Sequence, residues 1–192
     1  MIACKKRVAG VKAALRWIVF VAASLSACSG PTPNGILEVR IKDHREAIED
    51  FSNAVITIEA VRISPKVGLK FWKLGWVDLV PSVARVELTK SLDRSAAMVV
   101  RRELTPGSFE ALDLKLSGIS GVLKKDSASV MITNKISPVV LPFSIDSGEL
   151  TTIIIDLAVM DMSDHPPRAY ELQLSGYEVY RNGKLIDRVP PG

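Results

Sequence analysis

From Ile36 onward, apolar and polar residues alternate along much of this chain. Leu37, Val39 and Ile41 alternate with Glu38, Arg40 and Lys42. Leu112, Leu114 and Leu116 alternate with Asp113, Lys115 and Ser117, and Tyr170, Leu172 and Leu174 alternate with Glu171 and Gln173. A period of two places successive side chains on opposite faces, as in a strand with one buried and one wet face. Ala54–Ile63, Val139–Ile145 and Thr151–Met160 are apolar at both phases, and Ile153-Ile154-Ile155 is a β-branched block suited to a central strand. Lys70–Leu74, Trp76–Val80, Val86–Thr89 and Val130–Thr133 are shorter candidates.

The turn signals agree with this reading. Asn182-Gly183 separates Tyr177–Arg181 from Lys184–Arg188, a strong short-range hairpin signal. Asp146-Ser147-Gly148 separates two apolar runs, and Pro106-Gly107 predicts a type II turn with the glycine at positive φ. Many strands at short spacing predict an all-β sandwich or barrel. Helix is expected to be scarce: a turn or two within His44–Phe51, and a segment Ser91–Val99 that suits either a helix or, through Met98-Val99-Val100, a strand.

The first 27 residues are of another kind. Lys5, Lys6, Arg7, Lys12 and Arg16 form a basic region, and Trp17 to Leu25 is apolar. Small residues then lead to Cys28. This is the pattern of a cleaved secretory signal peptide. Its apolar run falls well short of the roughly 20 residues a membrane span needs. Leu25-Ser26-Ala27-Cys28 resembles a bacterial lipobox. The resemblance implies cleavage between Ala27 and Cys28 and a diacylglycerol with palmitate-type chains on the Cys28 sulfur. Two or three acyl chains hold a protein firmly where one holds it marginally. Ser29 after the cysteine resembles the outer-membrane default of Gram-negative lipoproteins. The expected organisation is a leader over 1–27, an acylated cysteine with a short Pro-containing tether over 28–35, and one domain over 36–190. Ser29 to Gly35 reaches at most about 25 Å, so the domain is expected close to the bilayer.

The leader also accounts for the basic isoelectric point. It holds five of the 25 basic residues and none of the 21 acidic ones, so the remainder carries 20 against 21. With no excess positive charge and with signs interspersed, nothing argues for a nucleic-acid partner. Cys4 lies in the leader and Cys28 would be acylated, so the domain has no thiol for a disulfide or a metal.

Val39-Arg40-Ile41-Lys42-Asp43, Ala54 to Ile63, Trp76-Val77-Asp78-Leu79 (or Trp72-Lys73-Leu74 in another alignment), Val86-Glu87-Leu88, Leu104 to Phe109, Leu141-Pro142-Phe143 and Ile155-Asp156-Leu157 form a recurring set. Together these stretches resemble the DUF4382 family of bacterial and archaeal envelope proteins. The resemblance covers roughly residues 35–180. It implies a prealbumin-like antiparallel β-sandwich with little helix and no established activity. The chain departs from the family at His44-Arg45, where a small residue and proline are usual, and after Asp156, where a second acidic residue is common.

Chemistry-bearing residues are sparse. His44 and His165 are the only histidines. Asp161, Asp164 and His165 share a short stretch, yet they lack the glycine and the spacing of a calcium loop. No Gly-x-Ser-x-Gly elbow occurs. Glu38, Glu59, Asp78, Glu87, Glu110 and Asp113 mostly alternate with apolar residues, which points them to solvent. Asp156 sits among isoleucines and reads as a strand-end or edge carboxylate held by backbone N–H groups. Trp72 and Trp76, beside Phe71 and Lys73, are either aromatics for a partner protein or a sugar ring, or core residues of a hairpin. Tyr177 and Tyr180 form a second candidate surface. The expectation is a non-catalytic envelope lipoprotein held to the membrane through Cys28, with no cofactor or metal and a protein partner in the envelope. A carbohydrate-binding module using Trp72 and Trp76 is the alternative. A hydrolase drawing on Asp156 and His165 comes last.

Overall fold

Alternation over five or more residues, with turn residues between the runs, builds strands nearly throughout the domain. A computed structural model describes residues 32–44, 47–66, 75–90, 96–163 and 168–191. The strands are β1 (Gly35–His44), β2 (Phe51–Pro65), β3 (Val77–Leu79), β4 (Arg85–Glu87), β5 (Ala97–Leu104) and β6 (Gly107–Leu123). They continue with β7 (Ser129–Asn134), β8 (Val139–Ile145), β9 (Leu150–Asp161), β10 (Tyr170–Arg181) and β11 (Lys184–Val189). Helix among the described residues is limited to 3-10 turns at Ala47–Asp50 and Leu88–Lys90. The first stands within the predicted His44–Phe51 helix. Met98-Val99-Val100 is strand, and Lys70–Leu74 lies outside the described residues.

One sheet runs β5-β1-β9-β10-β11, and the other places β2 between β6 and the short β3 and β4, with β8 beyond β6. The result is an all-β sandwich close to a barrel. Backbone contacts bring the sheets together at both flanks. Ser82 and Val83 donate backbone N–H groups to Val99 O, at 2.7 and 3.4 Å. At the opposite flank β7 pairs with β6 on one side and β10 on the other. The expected antiparallel pairing holds except in two ladders: β1 with β9, and β10 with β7, are parallel. Neither pair is joined by a hairpin, so no turn signal could have announced it.

The core lies between the sheets. Leu37, Val39, Ile41, Ile153, Ile155, Leu157, Leu172 and Val179 from one sheet belong to the same cluster as Ile56, Ile58, Val61, Ile63, Leu112, Leu141 and Ile145 from the other. Each such side chain, fully buried, contributes roughly 1.5–3 kcal/mol. Strand β9 lies between β1 and β10, the central place its β-branched block predicts, and is buried at consecutive residues from Ile155 to Val159. Strand β2 differs from the expected strand with two apolar faces. It has register shifts against β6 on either side of Ile58, and the buried phase moves from Ile56 and Ile58 to Val61 and Ile63. A bulge at Glu59 lets one inward face use both phases of the sequence.

Turns follow their residues with one exception. Asn182 and Gly183 both have positive φ, 47° and 79°, the primed hairpin geometry that only such residues accept readily. Gly148 has φ 72° between β8 and β9. Gly107 does not take the positive φ of a type II turn. It already pairs with Ile145 as the first residue of β6, and Pro106 turns the chain from one sheet to the other.

Candidate functional site

Strands β6 and β10 are bridged by β7 along one stretch only. Elsewhere β8 lies beside β6, β11 lies beside β10, and no ladder joins β8 to β11 among the described residues. The sandwich is therefore unzipped there, and a cavity of ≈ 290 Å³ lies in the fork. Its apolar lining comes from Phe109 on β6, Pro142 and Phe143 on β8, Val179 on β10 and Ile186 on β11. Phe109 and Phe143 are cross-strand partners, and their rings stack with centroids 5.0 Å apart.

The polar rim is mostly spoken for. Arg181 donates to Ser144 Oγ at 2.5 Å and lies 3.1 Å from Asp146 and 3.4 Å from Glu149. Thr151 Oγ1 donates to the Ser144 carbonyl at 2.9 Å. Tyr177 donates its hydroxyl to Asp187 at 3.4 Å, and burial, then the Asp187 charge, raises the phenol above its usual range. Lys66, at the mouth, has no carboxylate partner among the described residues. Strand β11 exposes Leu185, Ile186 and Val189 at 45 %, 52 % and 45 %. Sequence reasoning missed this cleft, although the apolar residues of Lys184–Arg188 beside a strong turn were a signal for an edge strand.

The predicted site residues are scattered. Ala27 and Cys28, Trp72 and His165 lie outside the described residues. Trp76 is 38 % exposed, so it is no core residue, and the Arg62 guanidinium lies 5.3 Å from its ring centroid. Arg62 is itself held by Asp113, through Nε at 2.8 Å and through Nη2. Tyr177 must be withdrawn as a surface residue. A register shift between Leu174 and Gly176 moves Tyr177 into phase with Val179, facing the core. Tyr180 is half-buried and donates its hydroxyl to Glu178 at 2.7 Å.

The acidic residues also depart from expectation. Glu38 and Asp113 are buried, because arginines on the outer faces cover them: Arg40 and Arg101 reach Glu38 at 2.6 and 2.9 Å. Asp156 is neither an edge nor a strand-end residue. It lies mid-strand in β9 opposite Lys42, whose Nζ is 3.3 Å away, and its Oδ1 has no hydrogen-bond partner. Nearby Asp43 continues the buried phase of Leu37, Val39 and Ile41, and both its oxygens lack partners. Burial, then the charge of Asp156, pushes its pKa up to about 8. The alternation reaching Asp43 was the available signal for this buried acid. Asp161 accepts the Ser163 N–H at 3.0 Å and the Ser163 hydroxyl, which together hold its carboxyl below the usual range. No group of three or more potential ligands is gathered for a metal among the described residues.

A second depression of ≈ 660 Å³ is bordered by Lys124, Lys125, Asp126, Asp50 and Arg168. Arg168 is engaged with Asp50 at 2.7 Å and with the Tyr170 hydroxyl at 2.9 Å.

No curated protein and no solved structure matches this chain. A family model does, over residues 34–172, a stretch that runs from just before β1 into β10 and stops short of the β10–β11 hairpin. With well over half of its length covered, the chain belongs to the family described as a domain of unknown function, DUF4382.

Proposed function

We propose that this chain is a lipid-anchored module of the cell envelope that binds another protein and carries out no chemistry of its own. The cleft between β8 and β11 is its binding surface. One observation carries the reading: a cavity with an apolar floor opens between two strands that each have a partner on one side only among the described residues. Clefts with an apolar lining and a few placed polar groups are where proteins take ligands. The leader and Cys28 support the anchor, which would be two or three acyl chains at the membrane surface, in the outer membrane if the source is Gram-negative. Tethering then raises the local concentration of the module at that surface. Sugar stacking through Trp76 is the weaker reading, because Arg62 lies against that ring.

Two measurements test the proposal. In cells fed labelled palmitate, the wild-type chain should incorporate label and lose its leader, and Cys28→Ser should do neither. A photo-crosslinking side chain in place of Ile186 should give a discrete adduct in intact envelopes. The same side chain in place of Met98, on β5, should give none. Adducts from both positions, or from neither, would remove the cleft as the binding surface.

A further inference from the structure

We infer that Lys42 and Asp156 become joined after folding by an amide bond between Lys42 Nζ and Asp156 Cγ, with Glu178 moving the protons. The bond forms once, within the chain. The domain still turns over no substrate, and the inference does not depend on what occupies the cleft.

The three residues meet on the outer face of one sheet. In the parallel ladder of β1 with β9, Lys42 stands directly opposite Asp156. Its Nζ lies 3.3 Å from Asp156 Oδ2 and 3.3 Å from Glu178 Oε1. Groups held this close and correctly aligned react with effective molarities on the order of 10⁵ M or more. Lysine also meets a carboxylate in the pairs Lys90–Glu87, Lys115–Glu59 and Lys135–Glu171, but those pairs lie open to water. Asp156 differs, with its side chain 3 % exposed against 30 % for Lys42. Gly176 stands opposite Asp156 on its other side, and Val189 to Pro191 pass so close that a Cβ on that glycine would sit 2.5 Å from Val189 O.

Seclusion favours the bond. Asp156 Oδ1 is buried with no hydrogen-bond partner among the described residues, and Lys42 is a single cation shared by two carboxylates. A charge kept from water is costly when it is incompletely paired. An amide at that place carries no charge, and a dry site resists the return of water.

Glu178 is placed for both proton transfers. Its Oε2 accepts the Tyr180 hydroxyl at 2.7 Å. That bond, ahead of the Lys42 and Arg188 charges, holds the carboxyl below the usual range, so Glu178 starts as an ionised base. It takes one proton from the Lys42 ammonium and passes it to Asp156, leaving a neutral amine beside a neutral carboxylic acid. Nζ attacks Cγ and the N–C bond forms. Glu178 then carries a second amine proton to the departing hydroxyl, the C–O bond breaks and one water leaves. Glu178 ends as it began, and no oxidant, reductant or co-reactant is consumed. The product ties β1, the strand that follows the tether, to β9 in the middle of its sheet. A pull on the tether is then borne by a covalent bond as well as by the ladder.

The test is peptide mass analysis of the full chain, purified from cells, denatured and digested with trypsin. Trypsin does not cut after an acylated lysine, so peptide 41–45 should appear joined to peptide 136–168, lighter than the two together by one water molecule. Lys42→Arg and Asp156→Ala should each give separate peptides only. Glu178→Gln leaves Lys42 and Asp156 in place and should lower the joined fraction at least tenfold, with the far-ultraviolet spectrum unchanged. Wild-type protein that yields peptide 136–168 unjoined, with the Lys42 amine open to acetylation in the denatured chain, would overturn the proposal whether or not the variants fold. Peptide 41–45 joined instead to peptide 169–181 would put the bond on Glu178 and overturn the assignment to Asp156. A joined product at wild-type yield in Glu178→Gln would remove Glu178 as the proton carrier.

Discussion

At the zipped end of the sandwich a ring from each sheet meets its partner across the core. At the open end both rings come from one sheet. Phe51 on β2 and Tyr170 on β10 make an edge-to-face pair at 4.8 Å, in the region that β7 bridges. Gly121 is required there, because a Cβ at that position would overlap the Phe51 ring. Tyr170 completes the join through its hydroxyl, with Arg168 at 2.9 Å and Asp50 at 3.2 Å. Phe109 and Phe143 are also stacked, but they sit on neighbouring strands of the same sheet. What spans the gap at that end is Arg181, 38 % exposed, reaching Ser144 and Asp146. Half-exposed ion pairs contribute about 0–1 kcal/mol, whereas burying an aromatic ring is worth several times more. The same residue types therefore lock one end and leave the other easy to open, according to which strands carry them.

The largest effect expected is on the aromatic pairs. Phe51→Ala should destabilise the domain by about 3–5 kcal/mol in urea unfolding, and Phe143→Ala, beside a cavity that already exists, by clearly less. Equal losses would break the comparison. Next comes the buried acid at the zipped end, where β1 leads into the 3-10 turn. In the folded chain Asp43 holds its proton up to a pH of about 8, against about 3.9 when unfolded. The folded state thus binds the extra proton in that window. Its stabilisation is complete below pH about 4 and is lost as pH rises toward 8, by at most about 1.4 kcal/mol per pH unit. Asp43→Asn should flatten this slope and be the more stable protein at pH 8. A wild-type slope that the substitution leaves unchanged would place the titration elsewhere.

Smaller effects are expected at the open end. Asn182 holds φ 47° and its Oδ1 accepts the Leu150 N–H at 2.9 Å. Asn182→Ala should therefore cost about 1–2 kcal/mol. Its hydrogen-exchange signature should be faster opening of β11 and faster exchange of the Leu150 N–H, with β1 and the rest of β9 unaffected. Arg181→Met should cost about 0–1 kcal/mol, and that loss should vanish in high salt. A loss of several kcal/mol would mean that the open end is locked as firmly as the other.

Much of the fold was legible because it is local. Asn182-Gly183 announces its hairpin through a steric demand on φ, and Leu37-Val39-Ile41 announces its inward face through period two. Reading failed where a partner or a phase is set from afar. The bulge at Glu59 lets β2 look apolar on both faces. The register shift before Gly176 carries Tyr177 from a supposed surface into the core. Glu38 and Asp113 alternate like solvent-facing acids, yet Arg40, Arg101 and Arg62 close over them. Asp156 looked like an edge residue because the parallel placement of β1 beside β9, which sets Lys42 opposite it, leaves no trace in either segment.

The amino-acid order alone determined that the domain is built of strands and where most of them begin and turn. Those are properties of neighbouring residues: backbone sterics at a turn, and side chains alternating across a pleat. Only the tertiary structure decided that β7 bridges the two sheets at one end while β8 and β11 part at the other. Edge-to-edge pairing joins residues far apart in the chain, and its outcome depends on how the two sheets twist and pack. The cleft is where that pairing stops.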